Sequence, residues 1–291
     1  MQKWTSKEYL QSKLHNDVTV TVTPNGLADA ILDDKFVLPH ELKMPIGDVL
    51  DRITNSEKHD DDAVFYVQSQ NNNMGIDADF SVLFQDIPQD IPFMTEALGR
   101  SPDAVNLWIG NSRAVTSCHK DHYENMYVVL AGSKTFTLIP PTEAWCLSGT
   151  PVIRKSETYT SLRLSSIESI FPVAKYQPSN LQFDGLTQWS IVDVEPSQNT
   201  PWIPVNVIDP GSKYPWFSEY CRPHTVMLHA GDMLYLPSLW FHHVQQTSEP
   251  LDGFSAAIAI NYWYDMSFDV KHAYFLFVKD LESKLHQDTN M

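Results

Sequence analysis

Val18, Val20 and Val22 alternate with threonines, a period of two that sends one row of side chains to each face of a strand, and the run stops at the turn Pro24-Asn25-Gly26. The same pattern predicts strands over residues 63–68, 104–109, 125–130, 134–139, 189–194, 225–228, 233–236, 241–246 and 256–264. Ala131-Gly132 forms a tight hairpin turn and Pro140-Pro141 a stop. Helical spacing is found in three places. Ile46, Val49, Leu50 and Ile53 follow Pro45; residues 92–98 end at Gly99; apolar residues at 270, 273, 274, 277, 278, 281 and 285 predict a C-terminal helix. Between 143 and 188 serine, threonine and proline are frequent and the period weakens, which predicts a long surface insertion.

Many short strands separated by turns, with helices mainly at the two ends, predict a mainly β protein: a double-stranded β-helix of the jelly-roll or cupin type with flanking helices. The whole chain, 1–291, reads as one domain with a barrel core at about 104–264, the insertion at about 143–188 and the last helix at about 267–286. Tyr274, Phe275 and Phe277 spread around that helix, so it packs on the barrel or on a second subunit of a homodimer, the barrel being favoured.

Composition then narrows the function. With 291 residues, 43% of them hydrophobic, the chain can bury a large core. A formal net charge of −16 disfavours a partner held by its phosphates, so no nucleic acid is expected. It suits a cationic protein or peptide substrate, or serves solubility alone. No apolar run is long enough to span a bilayer and residues 1–9 lack a secretory core, which predicts a soluble cytoplasmic or nuclear protein with no membrane partner. Cys118, Cys146 and Cys221 are odd in number and form no Cys-x-x-Cys, as reduced thiols would; no zinc site is implied.

Two histidines and a carboxylate are what a mononuclear non-haem iron(II) oxygenase needs on one face of its metal, with the remaining positions free for a co-substrate and O2. His119-Lys120-Asp121 offers two of the three, because residues two apart in an extended segment share a face while Lys120 points away. The tripeptide alone is weak, since about one His-x-Asp match is expected by chance in a chain of this composition. His59/Asp61 lies in a charge run and His286/Asp288 in a terminal tail, and neither has an apolar frame. His119/Asp121 falls between two strong strands. The third ligand is sought in Trp240-Phe241-His242-His243-Val244, where neighbours face opposite ways; a histidine among aromatics is commonly a core residue, but His242, on the face of Trp240 and Val244, is preferred over His243. A barrel lets the strand after His119 lie beside the strand of His242.

These residues, with Gly231-Asp232-Met233-Leu234-Tyr235-Leu236-Pro237, Gly132-Ser133-Lys134 and Ile260-Asn261-Tyr262-Trp263-Tyr264, resemble the JmjC family of 2-oxoglutarate- and iron(II)-dependent oxygenases over essentially the whole chain. The resemblance implies Fe(II) on His119, Asp121 and His242, with 2-oxoglutarate and O2 as co-substrates. It implies that Lys134 pairs with the distal carboxylate of 2-oxoglutarate, that Tyr66, Thr116, Asn125 and Asn261 line its pocket, and that Trp263 shapes the wall. By position alone Lys134 would read as a hairpin-edge lysine with its head in water. The branch it resembles hydroxylates lysine at C3 in protein substrates, with developmentally regulated GTP-binding proteins as the class, and Tyr123, Glu124 and Asp265 are candidate partners for the ammonium. N-methyl-lysine or arginine demethylation, histone-tail peptidase activity and a non-catalytic cupin binding module are the rival outcomes. Compared with the family, the chain starts at an internal position, so an upstream segment is expected, and the 143–188 insertion is longer.

Overall fold

The computed structural model describes residues 2–59, 62–147, 152–155, 160–163 and 168–288. Eight barrel strands follow one another along the chain: β1 (Ala104–Gly110), β2 (Val115–Lys120), β3 (Tyr123–Ala131), β4 (Ser133–Ile139), β5 (His224–His229), β6 (Met233–Leu236), β7 (Phe241–Thr247) and β8 (Ser255–Asp265). They form two facing sheets. One has the order β6-β3-β8-β1 and continues through Val64–Val67, Val18–Thr23 and His40–Met44; the other has the order β5-β4-β7-β2 and ends at Leu27–Ala28. This is the cupin-type double-stranded β-helix that the strand pattern predicts. Gly132 turns β3 into β4 with φ of 66°, and a Cβ there would fall 2.4 Å from the Thr247 carbonyl oxygen.

The larger sheet is buried on both faces, which explains why 104–109 and 256–264 read as near-continuous apolar runs. Val105, Leu107, Ile109, Ile258, Ile260 and Tyr262 face a helical layer of α1 (Lys7–Lys13) and α2 (Ile46–Ser56), where Leu10, Val49, Leu50 and Ile53 are buried. The alternate residues Trp108 and Ala259 face the barrel interior with Tyr127, Phe136, Leu138 and Val244. The period of two therefore puts Asn261 and Trp263 on the inner side as well. Helix α3 (Pro92–Leu98) closes at Gly99 in the left-handed region, as predicted.

The surface-insertion expectation needs correction. Ser169–Pro178 is the longest strand of a separate five-stranded sheet, parallel to Lys35–Leu38 and antiparallel to Trp189–Asp193 and Asn199–Trp202. Its buried residues are Phe171 and Val173, then Ala174 and Tyr176. The parity changes between Val173 and Ala174 as the strand passes from one antiparallel partner to the other, and this hides the period. Residues 148–151, 156–159 and 164–167 lie outside the described residues.

Helix α4 (Pro215–Tyr220) and the C-terminal helix α5 (Val270–Asp288) pack on the helical turn Pro141–Leu147, in a core that Cys118, Ile139 and Phe241 of the smaller sheet share with Phe217 and Phe275. α5 packs on the barrel through Phe275, whose ring lies 6.3 Å from Phe241, while Tyr274, Leu276 and Phe277 are exposed. His286 and Asp288 belong to this helix rather than to a frayed tail. Of the pair His59/Asp61, Asp61 lies outside the described residues. Another His-x-Asp pair, His15 and Asp17, is exposed between α1 and Val18. No described helix is long and apolar enough to cross a membrane.

Candidate active site

β2 and β7 run antiparallel with His119 opposite His242. The expectation that the strand after His119 would lie beside His242 is therefore corrected: that strand, β3, belongs to the facing sheet, and it is His119's own strand that pairs. A β-bulge between His242 and Val244 shifts the register at the ligand, an irregularity that re-aims side chains. Asp121 lies just past the end of β2, and its carbonyl accepts the Leu239 N–H at 2.9 Å. Leu239 is fully buried with φ of 70°, a left-handed backbone that leucine adopts only under constraint. The bond ties the loop before His242 to the Asp121 corner.

Asp121 Oδ2 is 3.7 Å from His119 Nε2 and 3.6 Å from His242 Nε2. His119 Nδ1 is 2.9 Å from the Ser117 carbonyl and His242 Nδ1 is 3.1 Å from that of Trp240. A carbonyl only accepts, so each Nδ1 carries the proton and each Nε2 lone pair faces the carboxylate. Three electron-rich groups converging in this way need a cation between them. Burial, reinforced by His119, brings His242 down to about 4, so its imidazole is the neutral form that ligates metal. Among the described residues these three form the one His/Cys/Asp/Glu group close enough to share an ion. Two imidazoles and a carboxylate on one face fit iron(II). His243, as expected, faces the other way, and its Nδ1 is buried without a partner.

The three ligands open into a cavity that Tyr66, Thr116, Asn125, Asn261 and Trp263 line, together with Trp108 and Gln70. Lys134 reaches it through Tyr66. The lysine is 0% exposed, which excludes the reading with its head in water. Its ammonium donates to the Tyr66 hydroxyl at 3.2 Å and to Gln246 Oε1, both neutral, and burial pulls it down to about 7. The hydroxyl of Thr116 is a hydrogen-bond neighbour of Tyr66. A buried ammonium lacking a carboxylate fits an acidic co-substrate. Asn261 is partly committed to the protein, accepting from Trp108 Nε1 at 3.0 Å and donating to Asn125 Oδ1 at 3.3 Å. Trp263 stacks on Tyr123 at 4.8 Å, and its indole nitrogen is buried without a partner.

Besides Trp108 and Gln70, three more site residues escaped the sequence reading. Gln246 could have been found, since it lies four residues after His242 in an extended segment and shares its face. Gly110 gives way to it: a Cβ there would be 2.5 Å from both Gln246 Nε2 and the Tyr66 ring. Trp202, from the separate sheet, stacks on His119 at 5.8 Å and 6° and donates to Ser117 Oγ at 3.2 Å; nothing local signals it. Glu124, in contrast, is removed from the list of ammonium partners. Its carboxylate accepts from Tyr235 OH, the Ser238 backbone and hydroxyl, and Lys271, so it fastens β3 to the loop before β7 and to α5.

A model of the cupin-like domain matches residues 1–270. The human bifunctional peptidase and (3S)-lysyl hydroxylase JMJD7 is 36% identical over 97% of this chain and 78% of its own length. The chain belongs to the cupin-like JmjC family. Lysine-specific demethylase JMJ32 of Arabidopsis thaliana is 37% identical over 97% of this chain and 76% of its own length, and JmjC domain-containing protein E of Dictyostelium discoideum is 34% identical over 96% and 78%. JmjC proteins are iron(II)- and 2-oxoglutarate-dependent dioxygenases, and this JmjC chain is an enzyme of that class with a site able to hold the metal.

Proposed function

We propose that this JmjC enzyme is a protein lysyl hydroxylase that adds one oxygen to C3 of a lysine, with a developmentally regulated GTP-binding protein as its substrate. The observation that carries the reading is near-full-length likeness to a human (3S)-lysyl hydroxylase in a chain that keeps the whole His119, Asp121, His242 and Lys134 apparatus. Iron(II) with 2-oxoglutarate and O2 supplies the oxidation of an unactivated C–H bond. His119, Asp121 and His242 hold the metal; Lys134 neutralises the far carboxylate of 2-oxoglutarate; Tyr66, Thr116, Asn125 and Asn261 orient its oxygens, and Trp263 walls off water. The reading places the protein in the cytoplasm or nucleus, where the free thiols Cys118, Cys146 and Cys221 stay reduced. It leaves the exposed face of α5 to a second copy in a homodimer.

The test is incubation with iron(II), 2-oxoglutarate and the GTP-binding protein, followed by mass spectrometry. One extra oxygen on lysine, assigned to C3 and absent with His119→Ala, supports the reading. The likeness to a plant lysine-specific demethylase favours a second reading, N-methyl-lysine demethylation, and loss of methyl groups without retained oxygen would select it. Peptide cleavage that survives His119→Ala would belong to other chemistry. No succinate with any substrate would return the chain to a binding module.

A further inference from the structure

An open groove of about 640 Å³ runs beside the metal cavity and shares Gln70 with it. It has room for more than a single side chain. Trp202, which stacks on His119, forms one wall. Gln68 and Ser69 form another, and Gln68 Nε2 and Ser69 Oγ are buried without any hydrogen-bond partner, Gln68 being only 5% exposed. Such groups are costly to bury unless something pairs with them. A ligand with its own carbonyls and amides in the groove would do so.

Asp29 stands at the junction of groove and metal site. Leu27–Ala28 pairs in parallel with β2, placing Ala28 beside Thr116. The Asp29 carbonyl accepts Ser117 Oγ at 2.6 Å, and the Ser117 carbonyl in turn holds His119 Nδ1. The carboxylate lines the groove, is largely enclosed, and has neither an ion-pair partner nor a hydrogen-bond donor among the described residues; burial lifts it to about 6. Glu41 lines the same groove and adds negative charge, while Lys175 and His40 are the basic groups on it. A cation is the missing partner for Asp29.

We propose that this groove seats the substrate polypeptide, with Gln68 and Ser69 pairing with its backbone and Asp29 taking the ammonium of the target lysine. The proposal rests on the lysyl-hydroxylase reading and adds the residue that selects the side chain. Four bonds separate C3 of lysine from its nitrogen, about 5 Å when extended. For C3 to face the metal, the Asp29 carboxylate, on the groove side of the ligand strand, has to lie within about that reach of it.

The test measures binding rather than turnover. The full-length enzyme, loaded with manganese(II) and 2-oxoglutarate, is titrated with two peptide pools of randomised flanks, one centred on lysine and one on norleucine. The lysine pool is expected to bind about ten-fold more tightly, as a charged hydrogen bond requires. Asp29→Asn is expected to abolish the preference. Asn tolerates the left-handed backbone at this position, φ 52°, so the variant retains the local fold. Gln68→Leu is expected to weaken both pools equally. Equal binding of the pools by the wild type, or a lysine preference that survives Asp29→Asn, overturns the proposal. An Asp29-dependent preference with no oxygen ever added supports the groove and defeats the hydroxylase reading; lysine hydroxylation at unchanged KM in Asp29→Asn does the reverse.

Discussion

Lys120 is largely enclosed and Lys134 fully buried, yet among the described residues only the first has a counter-ion. Lys120, its side chain 9% exposed, donates to Glu168 at 2.5 Å, and Lys279 joins the same carboxylate at 2.9 Å. Lys134, at 0%, meets the Tyr66 hydroxyl and ring and the Gln246 amide, with no carboxylate beside it among the described residues. Carboxylates divide in the same way: Glu124 is saturated by four donors, while Asp121 faces two imidazole lone pairs. The corner between β3 and α5 is finished within the chain. The barrel interior is left short of an anion and a cation, and the cost of leaving a buried charge uncompensated makes that deficit a binding specification.

The largest effect comes from cutting into the deficit on the metal side. Asp121→Ala is expected to reduce 2-oxoglutarate turnover to background and to abolish stoichiometric metal, read by succinate assay and metal analysis, while far-UV dichroism stays native because no described strand depends on that carboxylate.

Lys134→Met separates function from stability. Its KM for 2-oxoglutarate is expected to rise at least about 30-fold, since truncating one partner of a buried charge pair costs about 2–5 kcal/mol. Stability of the ligand-free protein should move the opposite way. Burial lowers the lysine from 10.5 to about 7, so between those values the unfolded chain holds more protons on it, and wild-type stability falls as pH drops from about 10 to about 7. A methionine side chain carries no proton and feels no such loss, so the Lys134→Met variant should melt above wild type at neutral pH, by up to a few kcal/mol, with the gap closing towards pH 10. 2-Oxoglutarate should raise the melting temperature of wild type alone. A variant less stable than wild type at pH 7 would mean that Lys134 is already compensated.

Glu124→Gln tests the finished corner. It leaves Lys271 without its anion and weakens three hydrogen bonds, for an expected loss of about 1–3 kcal/mol in denaturant unfolding. KM for the polypeptide substrate should stay unchanged; a rise would restore Glu124 as an ammonium partner.

These contrasts also mark what was legible in the sequence. The barrel was, because a period of two over 18–23 and 241–246 and apolar runs at 104–109 and 256–264 are imposed by burial on one face or two. Bringing His119, Asp121 and His242 together followed from fold and face. Lys134 was legible only through its family likeness, since a single lysine after a glycine turn carries no mark of burial. Trp202 and Asp29 were not legible at all: Trp202 reaches the metal site through a separate sheet whose central strand changes parity at Val173, Asp29 follows the two-residue edge strand Leu27–Ala28, and no local pattern encodes either docking.

The smallest effect is expected where a charge pair is neither buried nor short of a partner. Lys35 donates to Asp193 at 2.5 Å, with side chains 33% and 61% exposed. This is as close as the Lys120–Glu168 pair, so distance alone would rank the two together. Water decides otherwise, because it solvates both ends and the long lysine loses rotamer freedom to hold the contact. Lys35→Ala should therefore change unfolding free energy by at most about 0.5 kcal/mol, whereas Lys120→Ala, which takes the nearer of two lysines from a half-buried Glu168, should cost more than about 1 kcal/mol. Equal losses in urea titrations of the two variants would mean that contact distance, rather than enclosure, sets the worth of charge in this protein.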